Sequence, residues 1–77
     1  MTSITHWDGN DVVVLDSRGR LLGAIAEVLL EHDRAVVAVD AARAPRRLAF
    51  ERLPSVVIHS AKDGLLRWAG PARVVLV

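Results

Sequence analysis

Clusters of turn-forming residues cut this chain at short intervals: Asp8-Gly9-Asn10-Asp11, Asp16-Ser17-Arg18-Gly19-Arg20, Glu31-His32-Asp33-Arg34, Ala41 to Pro45, Ala61-Lys62-Asp63-Gly64 and Gly70-Pro71. The runs left between them are too short for stable helices and rich in valine, whose branched Cβ suits a pleated strand. Val12 to Leu15, Ala35 to Asp40, Ser55 to His59, Leu65 to Trp68 and Arg73 to Val77 therefore read as strands. Arg46 to Phe50 joins them, with Leu48 and Phe50 on one face and Leu53-Pro54 as its end. Gly19 is the residue expected at positive φ in the first turn, since it has no Cβ to clash. Leu21 to Glu31 satisfies two patterns: Leu22, Ile25, Ala26, Leu29 and Leu30 fall at helical spacing, while Leu22, Ala24, Ala26, Val28 and Leu30 share one face of a strand. Gly23 weakens a helix start and no capping residue stands close by, so the segment is read as extended and the first hairpin as 12–30. The expectation is an all-β chain, mainly a small β-barrel of roughly six or seven strands.

Seventy-seven residues make one domain, 1–77, with 1–10 as a flexible or capping N-terminal segment. A chain this short buries only about 60–65% of its unfolded surface. With no cysteine, disulfides cannot support the core, and at 52% hydrophobic residues a partner subunit is the expected support. A homodimer or higher oligomer follows. Its interface is placed on Leu65, Leu66, Trp68, Val75 and Val77, because the C-terminal strand is apolar and carries no charged tail to blunt its edge. A formal net charge of +1 is too small to attract nucleic acid by electrostatics alone. The first residues show no secretory signal and no run approaches the length of a membrane span, so a cytoplasmic address without membrane insertion is expected.

Catalytic and metal-binding patterns are missing. His6, His32 and His59 lie far apart and form no ligand-spaced pair, while His59 and Ser60, as strand neighbours, point to opposite faces. No nucleophile elbow or phosphate loop is present, and neither an enzyme nor a cofactor is expected. Arginines are the more informative residues. Arg43, Arg46, Arg47 and Arg52 crowd around Pro45, and their planar forks suit carboxylates or phosphates. A solvated edge that discourages aggregation is the bland alternative. Trp7 and Trp68 are the only large aromatics besides Phe50, and Trp68 is assigned to capping the core or a subunit interface.

From Asp11-Val12-Val13-Val14-Leu15-Asp16-Ser17-Arg18-Gly19-Arg20-Leu21-Leu22-Gly23 through Leu30, the chain resembles the PRC-barrel family: a strand, a D-x-x-G turn, an apolar residue with Gly, then a second strand. Arg34 to Asp40 resembles that family's third strand, and Arg46 to Leu53 the strand and turn after it, with Ala49-Phe50 where the family often has Pro-Trp. The resemblance implies a small β-barrel used as a docking module, with Gly19 and Gly23 as fold determinants. Val14 to Leu21 also looks like the D-S-x-G-R hairpin of swapped-hairpin DNA-binding regulators, but Leu22-Gly23 departs from their Leu-Pro or Ile-Pro. The leading expectation is a non-enzymatic interaction module that docks a protein partner or oligomerises, with Arg43, Arg46, Arg47 and Arg52 as the partner contact. A nucleic-acid-binding regulator using Arg18, Arg20 and that arginine cluster is the first alternative, and a small-ligand barrel the second.

Overall fold

The computed structural model describes residues 4–44, 46–48 and 52–77, the Arg47 side chain excepted. Six strands, β1 (Thr5–Asp8), β2 (Val12–Leu15), β3 (Ile25–Leu30), β4 (Ala35–Val39), β5 (Arg52–Ser60) and β6 (Leu66–Leu76), form one sheet in the order β1-β3-β4-β6-β5-β2. All neighbours are antiparallel except β4 and β6. The chain is all-β, as its valine runs require, and Ile25 to Leu30 is a strand rather than a helix.

Alternation along the strands sets the core. Val12 and Val14 on β2, Val28 and Leu30 on β3, Ala35, Val37 and Val39 on β4, and Val56 and Ile58 on β5 all point inward and are buried. Leu22, Ala72 and Val74 complete the cluster. Such period-two burial is what a sheet with one face on a core imposes.

β1 and β2 lie at opposite edges of the sheet yet are joined only by Gly9, Asn10 and Asp11. The sheet must therefore curl until its edges meet at that corner, giving a half-barrel. The corner is stitched on both sides: Gly9 N–H donates to the Ala26 carbonyl (2.9 Å) and Ala61 N–H donates to the Asp11 carbonyl (2.9 Å).

Several local expectations change. Thr5–Asp8, within the segment read as flexible or capping, is an edge strand paired with β3. The 12–30 hairpin does not form as such: β2 pairs with β5, and the hairpin is reduced to a Leu15–Leu21 bridge, with Leu22 N–H donating to Val14 O (2.8 Å) and Asp16 N–H donating to Arg20 O (2.9 Å). Ala24, at φ 61°, then turns the chain away, its carbonyl accepting from Asp40 N–H (2.9 Å) before β3 joins β4. Arg46–Leu48 is a turn of 3₁₀ helix rather than the start of a strand, and Phe50 lies outside the described residues.

Neither Pro54 nor Gly70-Pro71 ends a strand. Pro54 sits inside β5 at a register shift between Leu53 and Val56, where its missing N–H spoils no regular ladder bond. Gly70, at φ 154°, bends β6 and continues into Pro71, so the expected strands Leu65 to Trp68 and Arg73 to Val77 are one. A Cβ at Gly70 would lie 3.3 Å from the Trp68 ring, so the indole packs over this bend.

Candidate interaction surface

The register of five strands places the outward-facing side chains in two rows. One row runs His6, Leu29, Val36, Arg73, Arg52; the other runs Asp8, Glu27, Ala38, Val75. The centre is apolar, since Leu29, Val36, Ala38 and Val75 are half-buried by their neighbours. Charge is divided between the ends. Asp8 stands opposite Glu27 on β1 and β3, and Arg52 stands opposite Arg73 on β5 and β6. His6 Nε2 lies 3.0 Å from Glu27 Oε2, and Asp8 Oδ1 accepts from Asn10 N–H (2.8 Å).

At the basic end the bends in β5 and β6 open a groove of about 490 Å³, with Leu53, Pro54, Pro71 and Val36 in its lining and Arg34, Arg52 and Arg73 around it. Arg34, on the turn before β4, lies 3.4 Å from Glu31 and 3.6 Å from Asp33. Among the described residues, no carboxylate comes within ion-pair distance of Arg52 or Arg73. Two cations held opposite one another, with no counter-ion among the described residues, are a ready receptor for an external anion.

The arginines singled out by sequence do not converge as a set. Arg52 is in the groove, whereas Arg43 follows β4 at its far end, where Ala41 N–H donates to the Val77 carbonyl (3.0 Å). Arg46 is exposed on the 3₁₀ turn, and the Arg47 side chain lies outside the described residues. The groove's other two members were not among the candidates. The one trace of it in the sequence is that Arg52-Leu53-Pro54 and Pro71-Ala72-Arg73 carry arginine, an apolar residue and proline in opposite order, as their antiparallel register aligns them.

The proposed interface residues fall into two regions. Val75 lies in the outward row, and Val77, 65% exposed, lies just beyond β6. Leu65 and Leu66, 57% and 60% exposed, stand at the start of β6, while Trp68 turns inward opposite Ile58. Trp68 and Trp7, brought from opposite ends of the sequence, line a second cleft of about 500 Å³ with Leu30, His32 and Arg67. Trp68 Nε1 is buried with no hydrogen-bond partner among the described residues.

Two turns are organised by carboxylates. Asp16 Oδ1 accepts from the Arg18 and Arg20 amides (both 2.9 Å), and its Oδ2 lies 3.3 Å from Arg20 Nε. The Arg20 backbone N–H above all, with that of Arg18 and the Arg20 charge, holds Asp16 below the ordinary value of 3.8 despite partial desolvation. Asp63 is lowered likewise, chiefly by the Leu65 N–H.

Among the described residues, no group of three or more His, Cys, Asp or Glu side chains is arranged to hold a metal, and no helix is long and apolar enough to cross a membrane. The fold is thus a curled all-β half-barrel whose outer face is charged at both ends. No known family matches the chain, and neither does any curated protein or solved structure.

Proposed function

We propose that this protein is a non-catalytic docking module of the small-barrel kind implied by the PRC-barrel resemblance, and that it grips carboxylates of a protein partner between Arg34, Arg52 and Arg73. The observation that carries this reading is the direct opposition of Arg52 and Arg73. Like charges facing across a ladder destabilise the sheet, and a bound anion reverses the sign of that interaction. Arginine presents a fixed fork, so two neighbouring guanidinium groups accept two carboxylates with little ordering cost. Protein is favoured over nucleic acid because, among the described residues, the groove lining offers proline and aliphatic carbon and no aromatic ring on which a base could stack. Arg20, the residue a swapped-hairpin regulator would direct at DNA, is engaged by Asp16 of its own turn.

A fluorescent oligoglutamate peptide and a single-stranded oligonucleotide of equal charge test the reading. The peptide is expected to bind the wild type and to lose affinity about tenfold or more in R52A/R73A, in line with loss of charge-assisted contacts. Peptide binding indifferent to both arginines would overturn it, and binding of the oligonucleotide alone would transfer the groove to the nucleic-acid reading.

A further inference from the structure

Large aromatic side chains are scarce in this chain, and Trp7 and Trp68 are two of its three. Among the described residues the buried core is wholly aliphatic, and both tryptophans stand at its margin, only partly buried. Trp7 is the ladder partner of Val28, and Trp68 of Ile58, both fully buried. Directly opposed residues share a face, so both indoles are on the concave side of the curled sheet, where side chains converge. They come together at one cleft of about 500 Å³, between the end of β3 with the turn after it and the start of β6. A cleft of this volume at one end of a barrel-like sheet has the size and position of a small-molecule site. We propose that it binds an uncharged, planar aromatic molecule, held by Trp7 and Trp68. The cleft shares no lining residue with the arginine groove, so the proposal is independent of the docking reading above.

The lining selects the chemistry. Trp68 Nε1 is buried on the ring edge that lies over Gly70, so what this indole offers the cleft is carbon. Leu30 and Leu66 add aliphatic carbon, Leu66 being 60% exposed. A planar π-system gains offset or edge-to-face contacts with an indole that a saturated molecule of the same size does not. The charged groups at the rim are already engaged: Arg67 Nη2 lies 3.6 Å from Asp63 Oδ2, and Glu31 Oε2 lies 3.4 Å from Arg34 Nε. A charged ligand would have to compete with Asp63 or Arg34 and give up its own hydration, whereas a neutral one would not. The His32 imidazole and the Thr5 hydroxyl supply hydrogen-bonding groups for an amide or carbonyl on the ligand. Each tryptophan also stands on backbone laddered on one side only, since β1 pairs with β3 alone and β6 meets β4 only from Ala72 onward. β1 and β6 share no ladder, so a molecule between the indoles ties the edge strand to the β5–β6 hairpin.

NMR titration of the full chain with naphthalene-2-carboxamide tests the site, because the two tryptophans give two indole N–H signals. Both should shift along one saturable curve with a Kd of about 1 mM or tighter, the range expected of a fragment this small. Amides of Thr5–Asp8 should exchange more slowly with the fragment bound, since it ties down the edge strand. Trp7→Leu, which keeps apolar bulk and removes the ring, should weaken binding about threefold or more, and Trp68→Leu likewise. Naphthalene-2-carboxylate and 2-naphthylmethylammonium, with the same ring and a charge of either sign, should bind at least about fivefold more weakly than the carboxamide. Decahydronaphthalene-2-carboxamide, the saturated analogue, should bind about threefold or more weakly. Circular dichroism checks that each variant is folded, and should Trp68→Leu unfold, Trp7→Leu on the edge strand carries the test. Tryptophans that only cap the core predict lost stability and no binding. No saturable shift, shifts confined to one indole, a folded Trp7→Leu that binds like wild type, or a charged or saturated analogue that binds as well as the carboxamide would each overturn the proposal. R52A/R73A separates the two sites: it should bind the carboxamide like wild type while losing oligoglutamate, and loss of the carboxamide there would move the ligand to the arginine groove and overturn the assignment.

Discussion

Gly9 sits so close beneath the backbone of Ile25 that a Cβ at position 9 would overlap the Ile25 carbonyl oxygen. This is the corner where the two edges of the sheet meet. The obstacle is main chain, which a side-chain rotation cannot relieve. Gly9→Ala should destabilise the fold by about 3 kcal/mol, the upper end of overpacking costs. Gly19→Ala, in open space at φ 74°, should cost about 1 kcal/mol from backbone strain. Gly23, with open space around it and no positive φ, should tolerate alanine. Urea unfolding of the three variants would check this order, and equal losses at all three would contradict it.

The Arg52–Arg73 opposition makes binding and stability diverge. Arg73→Glu converts a repulsive cross-strand pair into an attractive one and should stabilise an isolated protomer by roughly 0.2–1 kcal/mol. It should abolish oligoglutamate binding at the same time. Thermal unfolding at low concentration, set beside a binding titration, reads both; a variant less stable than wild type would count against a repulsive Arg52–Arg73 pair.

Burial predicts a sharp contrast between two leucine-sized side chains on neighbouring strands. Ile58 is fully buried and Leu66 is 60% exposed, although His59 and Leu66 are register partners. Ile58→Ala should cost about 2–5 kcal/mol through lost transfer free energy and the cavity left behind. Leu66→Ala should stay within about 0.5 kcal/mol in the protomer. Denaturant midpoints measure both.

Asp16 provides a pH test. Its folded value lies below 3.8, so its contribution to stability is present above the unfolded value and is lost as pH falls through the folded one. Asp16→Asn should flatten that acid limb, and carboxyl NMR should place the wild-type Asp16 midpoint below 3.8. Asp63, lowered first by the Leu65 N–H, should titrate the same way.

Much of the fold was legible because strand formation here is a local matter. Valine runs, alternating burial and the Asp16–Gly19 turn all depend on residues within a few positions of each other. The errors occur where a local signal met a distant constraint. Pro54 and Gly70-Pro71 look like chain breaks, yet they bend two strands that remain paired. Gly23, a fold determinant by the resemblance, has open space around it, and the close backbone approach is at Gly9, because it depends on where Ile25 arrives. Trp68, assigned to capping the core or an interface, is partly buried and packs against the core.

The sequence by itself determined that this chain is all-β, that its core is built mainly of valine, and that its turns are tied by aspartate and glycine. Those outcomes follow from side-chain branching, alternation and short-range hydrogen bonds. Only the tertiary structure decided which strands are neighbours, and with that which charges face each other. Arg52 and Arg73 are twenty-one positions apart, and Asp8 and Glu27 nineteen, yet antiparallel pairing makes each a direct pair. Register sets these oppositions through long-range contacts, and the closure of the sheet at Gly9 fixes those contacts for the chain as a whole.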